Sequence, residues 1–139
     1  MKIVVNRCYG GFSLSHKAIM RYAELKGITL YLITEFRDDN RCIDFTKFKY
    51  CTYDENDIFG NYYITKPLLK NGMYKEKSWF SHREIERNDP ILVQVIEELG
   101  SSANGRFANL NIVEIPDDIE WEIEEYDGQE WVSESHMTW

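Results

Sequence analysis

Beyond Arg106 the chain contains no lysine and no arginine, while ten aspartates and glutamates follow. Up to Arg106 the 16 basic residues nearly match 14 acidic ones, so the net charge of −8 belongs to the C-terminal segment. Such a segment repels phosphate backbones, which argues against direct nucleic-acid binding there and suits it to a basic partner. Cysteine is scarce: Cys8, Cys42 and Cys51 are odd in number, and no pair has C-x-x-C spacing. That excludes a disulfide framework and the usual zinc motifs. His16, His82 and His136 are too scattered for a metal-ligand pattern, so no metal and no cofactor is assigned. No apolar run approaches the ~18–20 residues that span a bilayer, and the stretch from Met1 turns polar at Asn6, too soon for a signal peptide. These absences point to a cytoplasmic protein without membrane association.

What is present reads as one globular domain over residues 1–139, with 37–80 as an insertion or flap. Lys2 to Asn6 is a short apolar strand. Leu14, Ala18, Ile19, Tyr22, Ala23 and Leu25 form a helical stripe, with Ser13 or Ser15 as N-cap and Gly27 in the left-handed position that ends it. Ile28 to Ile33 is a nearly continuous apolar run, the pattern of a strand buried on both faces. Strand, helix and strand in this order predict a βαβ unit with parallel strands. In the middle segment aromatics alternate with lysines, and Asn71-Gly72 predicts a two-residue hairpin turn. Asp89 as cap and Pro90 at the first helical position open a second helix, with Ile91, Leu92, Val95, Ile96 and Leu99 on its buried face. Leu110 to Ile115 is a strand. "IEWEIEEY" then alternates strictly, and Asp127-Gly128 turns it back into "EWVSE". A two-residue loop sets Ile123 opposite Val132, Glu124 opposite Trp131 and Glu125 opposite Glu130. The last pair is a like-charge conflict, to be relieved by both carboxylates facing water or by a bulge. The fold class expected is α/β or α+β: a mixed sheet with an N-terminal βαβ unit, two main helices and a C-terminal antiparallel hairpin.

Chemistry is concentrated at "VVNRCYGGFSLS". A loop that leaves a strand through Asn6, Arg7 and Tyr9, passes Gly10 and Gly11 and enters a helix through Ser13 has the parts of an anion site. These are close-approaching backbone amides, a helix N-terminus and an arginine able to grip phosphate bidentately. Glu35 stands where a ribose-binding acid would lie in a dinucleotide fold. Arg83 and Arg87, one turn apart beside His82, complete a phosphate pocket on this reading. The G-x-G-x-x-G and Walker fingerprints are absent, and a glycine pair at such a turn also serves geometry alone. The alternative site is the acidic hairpin of residues 117–139, where Glu120, Glu122, Glu124 and Trp131 would dock a basic host protein. A third reading, a small phosphodiester hydrolase using Cys8 or a histidine, lacks a nucleophile, base and orienter in one place, and no catalytic residue is assigned.

The opening "VVNRCYGGFSLS" together with "DPILVQVIEELG" and "ANGRFANLNIVEIPDDIEWEIEEYDGQEWV" resembles a group of small bacteriophage and prophage proteins. The resemblance covers both ends of the chain and leaves the middle unmatched. It implies context, not chemistry: such proteins are often accessory factors of the host-cell cytoplasm. Many interfere with host defence, some by trapping a nucleotide signal in a pocket and others by occupying a host protein. The leading expectation is therefore a non-enzymatic binder of a phosphorylated, nucleotide-like small molecule; the tight, closed site that sequestration needs is compatible with a homo-oligomer with pockets at subunit boundaries, although no sequence pattern points to one.

Overall fold

A computed structural model describes residues 1–37, 43–54 and 61–134; Cys42, His136, Trp139 and most of the expected loop at 37–41 lie outside them. The fold is α+β, with two α-helices among the described residues, antiparallel sheets and a C-terminal hairpin. The chain divides into two compact units, one of Met1–Lys26 with His82–Trp139 and one of Gly27–Ser81.

In the first unit, β1 (Lys2–Asn6) pairs antiparallel with β6 (Leu110–Glu114). Ile3, Val4 and Val5 are all fully buried, so both faces of β1 are covered. The far edge of β1 is closed without a third strand. The Arg87 carbonyl accepts from the Val4 amide at 2.8 Å, and the Glu130 carboxylate accepts from the Asn6 amide at 2.8 Å. Helix α1 (His16–Lys26) is capped by Ser15, whose Oγ accepts from the Ala18 amide at 3.1 Å, and it ends at Gly27 with φ 73°. Its buried side chains are Ala18, Ile19, Tyr22 and Ala23, as the periodicity predicts.

Helix α2 (Pro90–Leu99) begins as expected, with Asp89 accepting from the Ile91 amide at 2.8 Å. The same carboxylate accepts from Tyr22 Oη at 2.7 Å and pairs with Lys26 Nζ at 3.1 Å, so one residue caps α2 and ties it to α1. Burial works against its charge, but the hydrogen bonds from Tyr22, the Ile91 amide and Lys26 outweigh it and hold its pKa below the ordinary 3.8. A carboxylate depressed in this way contributes stability above its unfolded pKa and loses it as pH falls through the folded value. Asp89→Asn keeps the cap and removes the charge. Urea titrations between pH 2 and 6 should show a shallower acid limb of the stability curve for the variant than for the parent.

The hairpin of β7 (Trp121–Tyr126) and β8 (Gln129–Glu134) has the expected register, including Glu124 opposite Trp131 and Glu125 opposite Glu130. Positive φ at Asp127 (52°) and Gly128 (89°) is the type I′ geometry that the right-handed strand twist favours.

The second unit carries a four-stranded antiparallel sheet in the order β3 (Ile43–Tyr50), β2 (Tyr31–Arg37), β4 (Tyr62–Ile64) and β5 (Trp79–Phe80). Its aromatics pack on one another. Ring centroids of Tyr62 and Trp79 lie 5.0 Å apart, those of Tyr74 and Trp79 5.1 Å, and those of Phe48 and Tyr74 5.6 Å.

Three expectations are corrected. β1 and β2 do not form a parallel βαβ pair, and every described strand pairing is antiparallel, so no mixed sheet forms. β2 finds partners close in sequence on both sides, which costs less loop-closure entropy than a crossover back to β1. β2 also starts at Tyr31, and among its residues 31–36 only Ile33 is fully buried. At Asn71-Gly72 the turn spans three residues, with the Leu69 amide donating to the Met73 carbonyl at 2.8 Å. Gly72 alone takes positive φ, 85°, where the two-residue form also needs it at Asn71.

Candidate functional site

Three backbone segments of the first unit converge on the glycine pair. Asn6, fully buried at the end of β1, organises them: its Nδ2 donates to the carbonyls of Cys8 (2.6 Å) and Gly128 (2.7 Å). Its Oδ1 accepts from the amides of Cys8 (3.2 Å) and Asn109 (2.8 Å). One side chain thus fastens the loop after β1, the loop before β6 and the hairpin tip. Their contacts are too close for side chains. A Cβ on Gly10 would overlap Phe107, one on Gly105 would overlap Ser13, and one on Gly128 would overlap the Tyr9 carbonyl and the Gly11 amide. These glycines are therefore required by packing, whatever else the loop does.

Between the segments lies a pocket of about 550 Å³, lined by Gly10, Gly11, Phe12, Ser13, Arg83, Arg87, Arg106, Glu125 and Glu130. Arg87 is clamped by Glu130 through two bonds, Nη1 to Oε1 at 2.6 Å and Nη2 to Oε2 at 2.9 Å. Its guanidinium also stacks on Phe12, 3.6 Å from the ring centroid. Glu125 Oε1 accepts from the Gly128 amide at 3.0 Å. The like-charge conflict is thus solved by neither expected route: Glu130 turns inward to Arg87, and Glu125 receives the turn amide. Arg106 is exposed, and among the described residues no carboxylate pairs with it. The amides of Tyr9 and Gly10 make no hydrogen bond within the described residues, and that of Gly11 reaches the Cys8 carbonyl only at 3.5 Å.

Of the residues singled out from sequence, Gly10, Gly11, Ser13 and Arg83 line this pocket, and Arg87 joins them. Asn6 does not; both polar atoms of its side chain are engaged within the fold. Arg7 and Tyr9 are exposed and lie outside the lining. Glu35 belongs to the second unit, where its carboxylate accepts from Tyr62 Oη at 3.2 Å. The N-terminus of α1 contributes no lining residue, so the positive groups facing the pocket are arginines and not a helix dipole. Glu120, Glu122 and Glu124 are exposed, and Trp131 Nε1 donates to Glu124 at 2.8 Å.

Cys8 is half-buried, with its amide and carbonyl both held by Asn6. His82 packs against Phe12, with ring centroids 5.9 Å apart. Burial, reinforced by Arg83 and Arg87, pushes its pKa below 6.5 against an opposing hydrogen bond to the Phe12 backbone, which keeps the imidazole neutral at pH 7. Sequence reasoning missed Phe12, Arg106, Glu125 and Glu130 as lining residues. Two signals pointed to them: Arg106 is the last base before an all-acidic stretch, and the Glu125–Glu130 register sets two carboxylates side by side, a conflict that a cation brought in from another segment also relieves. Comparison with protein-family models, curated proteins and solved structures finds no match to this chain.

Proposed function

We propose that this protein binds a phosphorylated small molecule of nucleotide type in the arginine pocket and sequesters it without chemical change. The observation that carries this reading is the meeting of Arg106, which has no carboxylate partner among the described residues, and the unbonded Gly10 amide in one pocket. Its volume of about 550 Å³ falls within the ~300–1,000 Å³ usual for small-ligand sites. Guanidinium and backbone N–H groups are the donors that phosphate oxygens accept best. The two carboxylates shape the other side. Glu130 is neutralised by Arg87, whereas Glu125 sets a negative wall at the hairpin, so the anion belongs beside Arg106. Ligand hydroxyl or amino groups then face Glu125. The resemblance to bacteriophage accessory proteins supports an anti-defence role, in which the ligand is a host immune signal.

Arg106→Glu should weaken binding of pyrophosphate and of nucleotides at least about tenfold in calorimetric titration, given the 1.5–3 kcal/mol of a charge-assisted hydrogen bond. Arg7→Ala, outside the pocket, should change it less than about twofold. Charge reversal at Glu120, Glu122 and Glu124 should leave anion binding intact. Should that triple variant lose biological activity while still binding anions, the acidic hairpin and a basic host protein replace the pocket as the seat of function. Absence of thermal stabilisation by any phosphorylated compound refutes the sequestration reading, because a ligand at ~100 times its Kd adds about 2.7 kcal/mol.

A further inference from the structure

Residues Gly105 to Ala108 form a tight turn, closed by the Ala108 amide donating to the Gly105 carbonyl at 3.1 Å. Its third residue, Phe107, has φ 62°. Glycine or asparagine is the ordinary occupant of that position, since a Cβ there meets backbone oxygen. The packing of the first unit leaves the ring uncovered: Phe107 is 72% exposed, the highest value among the large apolar side chains of the described residues. The backbone of Phe107 lies against Gly10, a pocket residue, and its ring centroid is 5.7 Å from the guanidinium carbon of Arg106, another. The turn therefore displays a bare aromatic ring at the pocket rim beside an arginine without a carboxylate partner, at a cost in backbone strain that a glycine would remove. Side chains kept in strained conformations without a packing reason cluster at ligand sites.

We infer that Phe107 is the stacking platform for a nucleobase, whose phosphate lies beside Arg106 and the Gly10 amide. This rests on the pocket's being an anion site and adds what the rest of the ligand is: a flat heteroaromatic ring. The base contact thus comes from the loop before β6. Stacking is tolerant of base identity because every base has a π-face, so purines and pyrimidines should both be accepted, with purines favoured by area.

The test compares adenosine 5′-monophosphate with ribose 5-phosphate, which carries the anomeric hydroxyl in place of the base, on the parent and on Phe107→Asn. Asparagine tolerates the left-handed backbone, so the melting temperature should hold or rise while the ring is lost. The parent should bind the nucleotide about five- to a hundredfold more tightly than the sugar phosphate. In Phe107→Asn that ratio should fall towards one with the sugar-phosphate affinity unchanged, and Phe107→Trp should restore it. A ratio that Phe107→Asn leaves unchanged overturns the stacking role and spares the pocket. Failure of both probes and of pyrophosphate to bind the parent overturns the pocket and the platform together.

Discussion

Replacing Glu130 by alanine is expected to lower the free energy of unfolding by about 3–5 kcal/mol, a large part of the roughly 5–15 kcal/mol of a typical domain. The carboxylate is 8% exposed and holds two partners at once, the guanidinium of Arg87 and the amide of Asn6. Its removal leaves a desolvated cation stacked on Phe12 and an edge amide of β1 with no acceptor. The loss should appear in urea denaturation as a lower midpoint at unchanged slope, since the surface exposed on unfolding hardly changes. Glu130→Gln keeps an acceptor for Asn6 but not the charge, and should fall between parent and alanine. Removing both charges, as Arg87→Met with Glu130→Leu, should recover part of the loss, because a desolvated pair is worth less than its halves are costly when orphaned. The same variants separate stability from binding. With Glu130 uncharged, the Arg87 guanidinium becomes an additional cation of the pocket, so Glu130→Gln should bind pyrophosphate more tightly than the parent while being less stable. A variant that loses stability and affinity in parallel would show that the pocket does not recruit Arg87.

Gly128→Ala should cost about 2–5 kcal/mol, from two separable sources. The left-handed backbone, φ 89°, accounts for roughly 1–2 kcal/mol. The new methyl group must also displace the backbone of Tyr9 and Gly11, and overpacking of this kind adds about 1–3 kcal/mol. Gly27→Ala isolates the first source: its φ is 73°, but nothing lies within 4 Å of the added carbon, so only the conformational part should be lost. Thermal denaturation of the two variants side by side measures the difference. Because the hairpin tip roofs the glycine loop, Gly128→Ala should also reduce nucleotide affinity, which Gly27→Ala should leave alone.

Local rules were legible wherever a segment decides its own geometry. Asp89-Pro90 announced α2, Gly27 ended α1, and the Asp127-Gly128 loop set every cross-strand pair of the hairpin. What could not be read was which strand lies beside which. Alternation tells which face of a strand is buried and nothing about its neighbour, so β1, whose partner begins at Leu110, was wrongly joined to the nearer β2. The candidate site was half legible for the same reason. Gly10, Gly11, Ser13, Arg83 and Arg87 stood out through local motifs. Arg106 lies in a stretch that reads only as a polar loop, and Glu130 looked like one more solvated acid until its long-range partner was placed. Asn6 shows the converse. A residue chosen as a ligand contact because it sits at a strand end proved to be a fastener, since a fully buried amide side chain must use its bonding capacity internally.

The division of the chain also orders its assembly in time. Gly27–Ser81 is one uninterrupted stretch, whereas the first unit joins two stretches on either side of it. As the polypeptide emerges from the ribosome, the inner unit has all its strands available while β1 still waits for β6 and for the Glu130 that closes its other edge. Non-local pairings are the slow ones, and translation delivers them last. The nascent strand Lys2–Asn6, with three consecutive β-branched residues, is therefore exposed to mispairing and to chaperone capture until β6 and Glu130 have been made.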